Sequence, residues 1–277
     1  MKEKVVGVSS VLPEYPHIHM LNEYSFPKDK STVFKYMPLD RLVKSIESHN
    51  LVFVSPAAWY DPFEQLYYGI DCSSRGYATE DIACMCVSEK SSTNEDASWR
   101  VYADSSDKSV RVSIDQKSLL DLLEDYASTN GFEVYIGKVD YSFEKKDIRS
   151  LHIPSSVNHS TYFPNKMSRE HYLSVMLLKR KAFQYENEVR IFLVKEKINF
   201  TNNLLCVPCK YKESHIISNV MLSPYPPIRA IGDIAYKVRN KINDLETREY
   251  KQRLGDMLGC RIQQSMLYKV YPRIKTV

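Results

Sequence analysis

The chain has 277 residues, of which 43% are hydrophobic and 26% charged, and its formal net charge is +4. These proportions exclude a wholly disordered or fibrous chain. No run of about 20 apolar residues is present to span a bilayer as a helix, so no membrane partner is expected. The early apolar run from Val5 to Leu12 is short and broken by Ser9 and Ser10, which makes a poor secretory signal. A cytoplasmic location is the expectation.

Residues 1–30 carry Pro13, Pro16 and Pro27 around His17 and His19 and read as an irregular lead-in. Thr32 to Tyr36 is β-branched and aromatic, which predicts a strand. Pro38 suits a first helical turn, and Leu39, Leu42, Val43 and Ile46 then repeat at helical spacing. Leu51 to Ser55 predicts a second strand, stopped by Pro56, and the loop from Ala57 to Glu64 follows it. A buried strand is predicted from Asp81 to Ser88, a polar loop over 91–97, and one or two helical turns from Ala97 to Asp104. Val110 to Ile114 alternates as a strand, Ser118 to Ser128 is helical, and Phe132 to Tyr141 is a strand. After an irregular stretch from Ile148 to Asn165, Ser168 to Phe183 carries the strongest helical signal. Ser168 is its cap, and Lys179, Arg180 and Lys181 stand at its favoured end. Strands follow at Val189–Val194, Leu204–Cys209 and His215–Leu222. Helices are predicted at Ile228–Ile242 and Glu246–Leu258, and a last strand at Cys260–Gln264. The order predicts one α+β domain over 1–277, with 243–277 as a C-terminal extension.

There are only 8 glycines, and none is spaced as a dinucleotide fingerprint or a phosphate-binding loop. Any nucleotide has to be held by side chains and ordinary backbone. Among the 6 cysteines, Cys206 and Cys209 have half the spacing of a zinc site with nothing to complete it. Two strand-end thiols are therefore expected there, and no metal. Cys84 and Cys86 alternate in an apolar run and are expected on one side of a strand. The 20 tyrosines suit stacking on a base as well as the margin of a core.

The most informative stretch runs from Tyr185 to Arg190. In extended backbone Glu186 and Glu188 point to one face, with Cα atoms roughly 7 Å apart. Such a pair suits a developing cation or a ribose hydroxyl. The alternative is a solvated strand start, its carboxylates paired with Lys179, Arg180, Lys181 or Arg190. Asp61 before Pro62 favours a turn and a structural role. Trp99 and Tyr102 are three apart and share a helix face, as core or as a stacking wall.

Tyr36, Phe53 to Ser55, Asp61 to Glu64, Cys86 to Glu89, Trp99 to Tyr102, Gly137 to Tyr141 and Lys179 to Arg190 resemble, in order, the blocks of the bacterial domain of unknown function 2971. Tyr60 stands where that family often has Asn. The name gives no activity. A second resemblance, in layout, is to ADP-ribosyltransferases, which build a mixed split sheet with flanking helices around NAD. It implies NAD as cofactor, with Lys35 or Tyr36 on the first strand contacting the adenosine side and Ser55 the nicotinamide ribose. Glu188 would then stabilise the cation as nicotinamide leaves, and Glu186 would orient or deprotonate the acceptor. Trp99 or Tyr102 would stack on a ring, and Arg190 completes the implied cofactor site. The implied function is transfer of ADP-ribose to a nucleic-acid or protein acceptor, as a toxin in antiphage defence with a neutralising antitoxin. A non-catalytic module binding nucleic acid or protein is the alternative.

Overall fold

A computed structural model describes residues 5–26, 31–61, 64–65, 68, 72–77, 80–89, 98–99, 109–143, 164–223 and 251–265. Its strands are β1 (Ser9–Leu12), β2 (Tyr15–Leu21), β3 (Thr32–Pro38), β4 (Asn50–Val54), β5 (Asp81–Ser88), β6 (Ser109–Asp115), β7 (Glu133–Lys138), β8 (Asp140–Phe143), β9 (Leu178–Arg180), β10 (Glu188–Lys195), β11 (Leu204–Pro208), β12 (Ile217–Leu222) and β13 (Arg261–Gln264). The principal helices are α1 (Leu39–Glu47), α2 (Gln116–Asn130) and α3 (Arg169–Val175). A further helix covers 251–258.

Eleven strands form one sheet in the order β1-β2-β7-β10-β5-β3-β6-β12-β13, with β4 joining β5 to β11. Most neighbours are antiparallel, but β2 with β7 and β12 with β13 are parallel. The expected α+β architecture with a mixed sheet is present. The sheet divides at β5. On one side β5 pairs along its whole length with β10. On the other side β3 meets it at Phe34↔Ser88 and β4 at Val54↔Cys84.

Strand alternation explains the two layers on β10. Val189, Ile191 and Leu193 join the main core with Leu119, Leu120, Leu123 and Ala127 of α2. Phe192 and Val194 point the other way, against Tyr172, Leu173, Met176 and Leu177. On that second face, at the head of the strand, stand Glu188 and Arg190. The core face is apolar, and on the opposite face the charged residues of β10 stand at this end.

Three expectations are corrected. The lead-in is an antiparallel hairpin of β1 and β2, and His17 and His19 bond Glu124 and Glu133 at 2.6 and 2.7 Å. The strand expected from Phe132 to Tyr141 is interrupted at Val139, whose N–H donates to the Glu188 carbonyl. Asp140 then has no place on that ladder, and β8 pairs with β9 instead. The helix expected from Ser168 to Phe183 ends at Val175. The Asp140 N–H donates to the Leu177 carbonyl at 2.8 Å, and pairing with β8 replaces the next helical turn. The chain leaves the helix, forms β9, and runs as a 3₁₀ helix from Lys181 to Glu186. The stretches at 91–97, 148–163 and 228–242, and Pro62, Phe63 and Tyr102, lie outside the described residues.

Gly137 faces this turn. A Cβ there would lie 2.4 Å from Leu177 Cδ1 and 3.2 Å from Leu21 Cβ. Gly137→Ala is therefore expected to destabilise the fold by about 1–3 kcal/mol through overpacking, measured by urea denaturation. A loss below about 0.5 kcal/mol would show that Leu177 simply rotates aside.

Candidate functional site

The site grows from the way β10 begins. Asn187 adopts the left-handed conformation (φ 45°) between Glu186 and Glu188, a region Asn tolerates better than most residues. The turn is pinned by Ser88 Oγ, which donates to the Glu186 carbonyl at 2.8 Å, and by Glu89 N–H, which donates to the Asn187 carbonyl. The two carboxylates do converge, but through this turn rather than through extended backbone.

They converge on Lys179. Its ammonium donates to Glu186 at 2.5 Å and Glu188 at 2.8 Å, and lies 3.5 Å from Glu64. Arg190 closes the cluster from the other side. Its Nε donates to Glu188 at 2.9 Å, one terminal nitrogen donates to Glu64 at 2.7 Å, and the other donates to the Met176 carbonyl. The guanidinium lies 4.4 Å from the centre of the Trp59 ring. The Tyr141 hydroxyl accepts from the Glu188 N–H at 2.9 Å, and at the rim Arg180 meets Asp61 at 2.9 Å.

The pairing with Lys179 and Arg190 that the alternative names is present, but the strand start is a buried ionic cluster rather than a solvated one. Glu186 and Glu188 are each 4% exposed and Arg190 is 1% exposed. Burial alone would push the Glu188 carboxyl up. The Arg190 and Lys179 charges, with hydrogen bonds from Arg190 and the Cys86 thiol, overcome this and hold it well below the usual carboxylate range. Burial likewise opposes the Lys179 charge, and the carboxylates of Glu188, Glu64 and Glu186 outweigh it. The thiol of Cys86 is pushed up by its contact with Cys84, 4.0 Å away, and by burial, so it is not an activated nucleophile. The expected one-sided placement of these two thiols holds.

The remaining candidate residues sit elsewhere. Phe34, Ser88 and Glu188 are aligned across β3, β5 and β10, so β5 separates Glu188 from the strand of Lys35 and Tyr36. The Lys35 ammonium donates to the Cys86 carbonyl at 2.9 Å. Tyr36 packs edge-on against Trp99, ring centres 5.1 Å apart, and the fully buried Trp99 Nε1 has no hydrogen-bond partner among the described residues. Ser55 is 3% exposed and its Oγ caps the short 3₁₀ helix Pro56–Ala58.

The sequence does not single out Trp59, and it offers Lys179 only as one of four cations that could pair with the two carboxylates. Lys179 had the look of a helix-ending cation. Among the described residues no group of three or more His, Cys, Asp or Glu is arranged to hold a metal ion, and none of their helices is long and apolar enough to cross a membrane.

The family model described as a protein of unknown function (DUF2971) matches residues 98–191. This bears out the resemblance to that family. The matched region contains Trp99, Gly137 to Tyr141 and Lys179 to Arg190, and it excludes Tyr36 and Asp61 to Glu64. No curated protein matches the chain.

Proposed function

We propose that the chain is an ADP-ribosyltransferase-like enzyme that transfers ADP-ribose from NAD to a nucleic-acid or protein acceptor, with Glu188 as the electrostatic group. The observation that carries this reading is the Glu188 carboxylate, buried at the head of β10 and kept ionised by Lys179 and Arg190. A fixed anion in a low-dielectric setting stabilises positive charge far better than one in water.

The Glu188 carboxylate matches a cationic centre. NAD supplies a glycosidic bond to a positively charged leaving group. Glu188 then acts by charge alone, because a general base works best with a pKa near the operating pH and this carboxyl is held far below it. A ribose hydroxyl donating to Glu188 competes with the Lys179 ammonium, so Lys179 is the positioning residue that must yield.

The test incubates the full chain with NAD labelled in its ADP-ribose portion and a cell extract. Nicotinamide release and label in acid-insoluble material are read, with nuclease and protease distinguishing the acceptor. Glu188→Gln, shown folded by circular dichroism, is expected to release nicotinamide at least about 100-fold more slowly. Wild-type protein that neither releases nicotinamide nor transfers label refutes the reading.

One observation favours a second reading, a non-catalytic module binding nucleic acid or protein. Both oxygens of Glu188 already accept from Lys179 or Arg190, as in an internal brace. Its sign is salt-dependent binding to nucleic acid that persists in Glu188→Gln.

A further inference from the structure

We infer that the open edge of β1 is an interface between two copies of this chain, joined antiparallel about a two-fold axis at Ser10. The ladder to β2 fixes which backbone groups are free. The Asn22 N–H donates to the Val8 carbonyl at 2.9 Å, and Ser9, Ser10 and Val11 stand opposite Leu21, Met20 and His19. In an antiparallel pair successive residues bond to opposite edges. Val8 and Ser10 therefore face β2, while Ser9 and Val11 turn their N–H and C=O groups the other way. The Gly7 N–H, earlier in that alternation, is taken by the side chains of Asn22 and Ser174. β1 ends the sheet, and among the described residues no backbone bond reaches Ser9 or Val11 from the open side.

This edge has the composition that sheet edges normally avoid. Val5 to Leu12 contains no charged residue. Val5, Val8 and Val11 are three of the five large hydrophobics exposed among the described residues, and Val11 is 50% exposed, so exposed apolar surface is concentrated here. Two other strands with a single neighbour are guarded: β11 ends in Pro208, and β13 begins with the exposed Arg261. An unguarded edge is a template for another strand, and β1 is its own match. With the axis at Ser10, Ser9 and Val11 form bonded pairs with Val11 and Ser9 of the second copy. The joint withdraws Val8 and Val11 from water, and no like charges meet across it. That charge-free complementarity selects a second copy over a charged strand. The flat stretch ends at the register shift between Val11 and Leu12, so the joint is short and association is concentration-dependent. β2 and β7 separate it from β10, which leaves the ionic cluster outside the interface.

Sedimentation velocity over a concentration series reads the association. The wild type is expected to be monomeric when dilute and dimeric when concentrated. Ser10→Lys sets two like charges opposite each other at the axis and is expected to weaken association at least about tenfold. Ser10 is exposed, so the monomer tolerates the change, and circular dichroism checks this. Cysteine cross-linking with oxidised glutathione reads the register, with the wild type treated alike as the background from the native thiols. Ser10→Cys meets itself at a closely spaced, non-hydrogen-bonded pair and is expected to form a covalent dimer; Val11→Cys, opposite Ser9, is expected to do so at least about tenfold more slowly. A wild type that is monomeric at every concentration overturns the inference and leaves the edge to a strand of another protein. A dimer untouched by Ser10→Lys, or cross-linked as fast through Val11→Cys as through Ser10→Cys, overturns it as well.

Discussion

Arg190→Met is expected to destabilise the chain by about 3–5 kcal/mol, the usual cost of removing one partner from a buried ion pair. The methionine retains much of the aliphatic stem but not the guanidinium that lies over Trp59. What is lost is the charge that bonds Glu188 and Glu64 together and the donor to the Met176 carbonyl. Lys179 remains, but it is already shared among three carboxylates. Urea denaturation reads the change as a lower midpoint at unchanged slope. The double variant Arg190→Met/Glu188→Gln is expected to lose less than the sum of the two single changes, because the neutral amide no longer needs the guanidinium. A loss under about 1 kcal/mol in Arg190→Met would mean that water reaches the cluster and screens it.

That result also bears on purpose. A set of charges this well paired is weak evidence for stability, since a well-packed apolar replacement is often as stable. The cluster therefore calls for another reason to exist. A carboxylate that stays ionised while buried is such a reason, and the nicotinamide-release assay on Glu188→Gln asks about it directly.

How far the sequence discloses this site depends on the range of the contacts. The strand from Asp81 to Ser88 is bounded correctly from sequence, because an unbroken apolar run between turn residues has few other homes. β10 extends one residue beyond the expected Val189–Val194 at each end, and one of its faces needs Val189, Ile191 and Leu193 while the other needs Phe192 and Val194. The pairing of Glu186 with Glu188 is visible as a two-residue spacing. Their partners are visible only as four candidates, from which the structure takes Lys179 and Arg190. Lys179 reads as a helix-ending cation because local periodicity contains no term for β8, which captures Leu178 and Arg180 from about 40 residues away. Glu64 is hidden for the same reason: its bond to Arg190 spans 126 residues, and nothing near Asp61 announces it. The hairpin at the N-terminus is masked by its prolines. Its second strand finds a parallel neighbour in β7.

The stability of the chain is expected to fall steeply in acid, and Glu188 is the reason. Its folded-state pKa is depressed below the ordinary value of 4.5. Its contribution is therefore complete above about pH 5, where the unfolded chain is also ionised, and is lost as the pH drops below 4.5. In that window the unfolded state takes up a proton that the folded state refuses. One such group costs about 1.4 kcal/mol per pH unit. Glu188→Gln removes the proton in question, so its stability is expected to vary less between pH 5 and pH 3 by up to that slope. Urea midpoints at a series of pH values decide the matter. Parallel curves for the wild type and Glu188→Gln would show that the acid transition belongs to other carboxylates, and that Lys179 and Arg190 do not hold Glu188 as tightly as their 2.8 and 2.9 Å contacts imply.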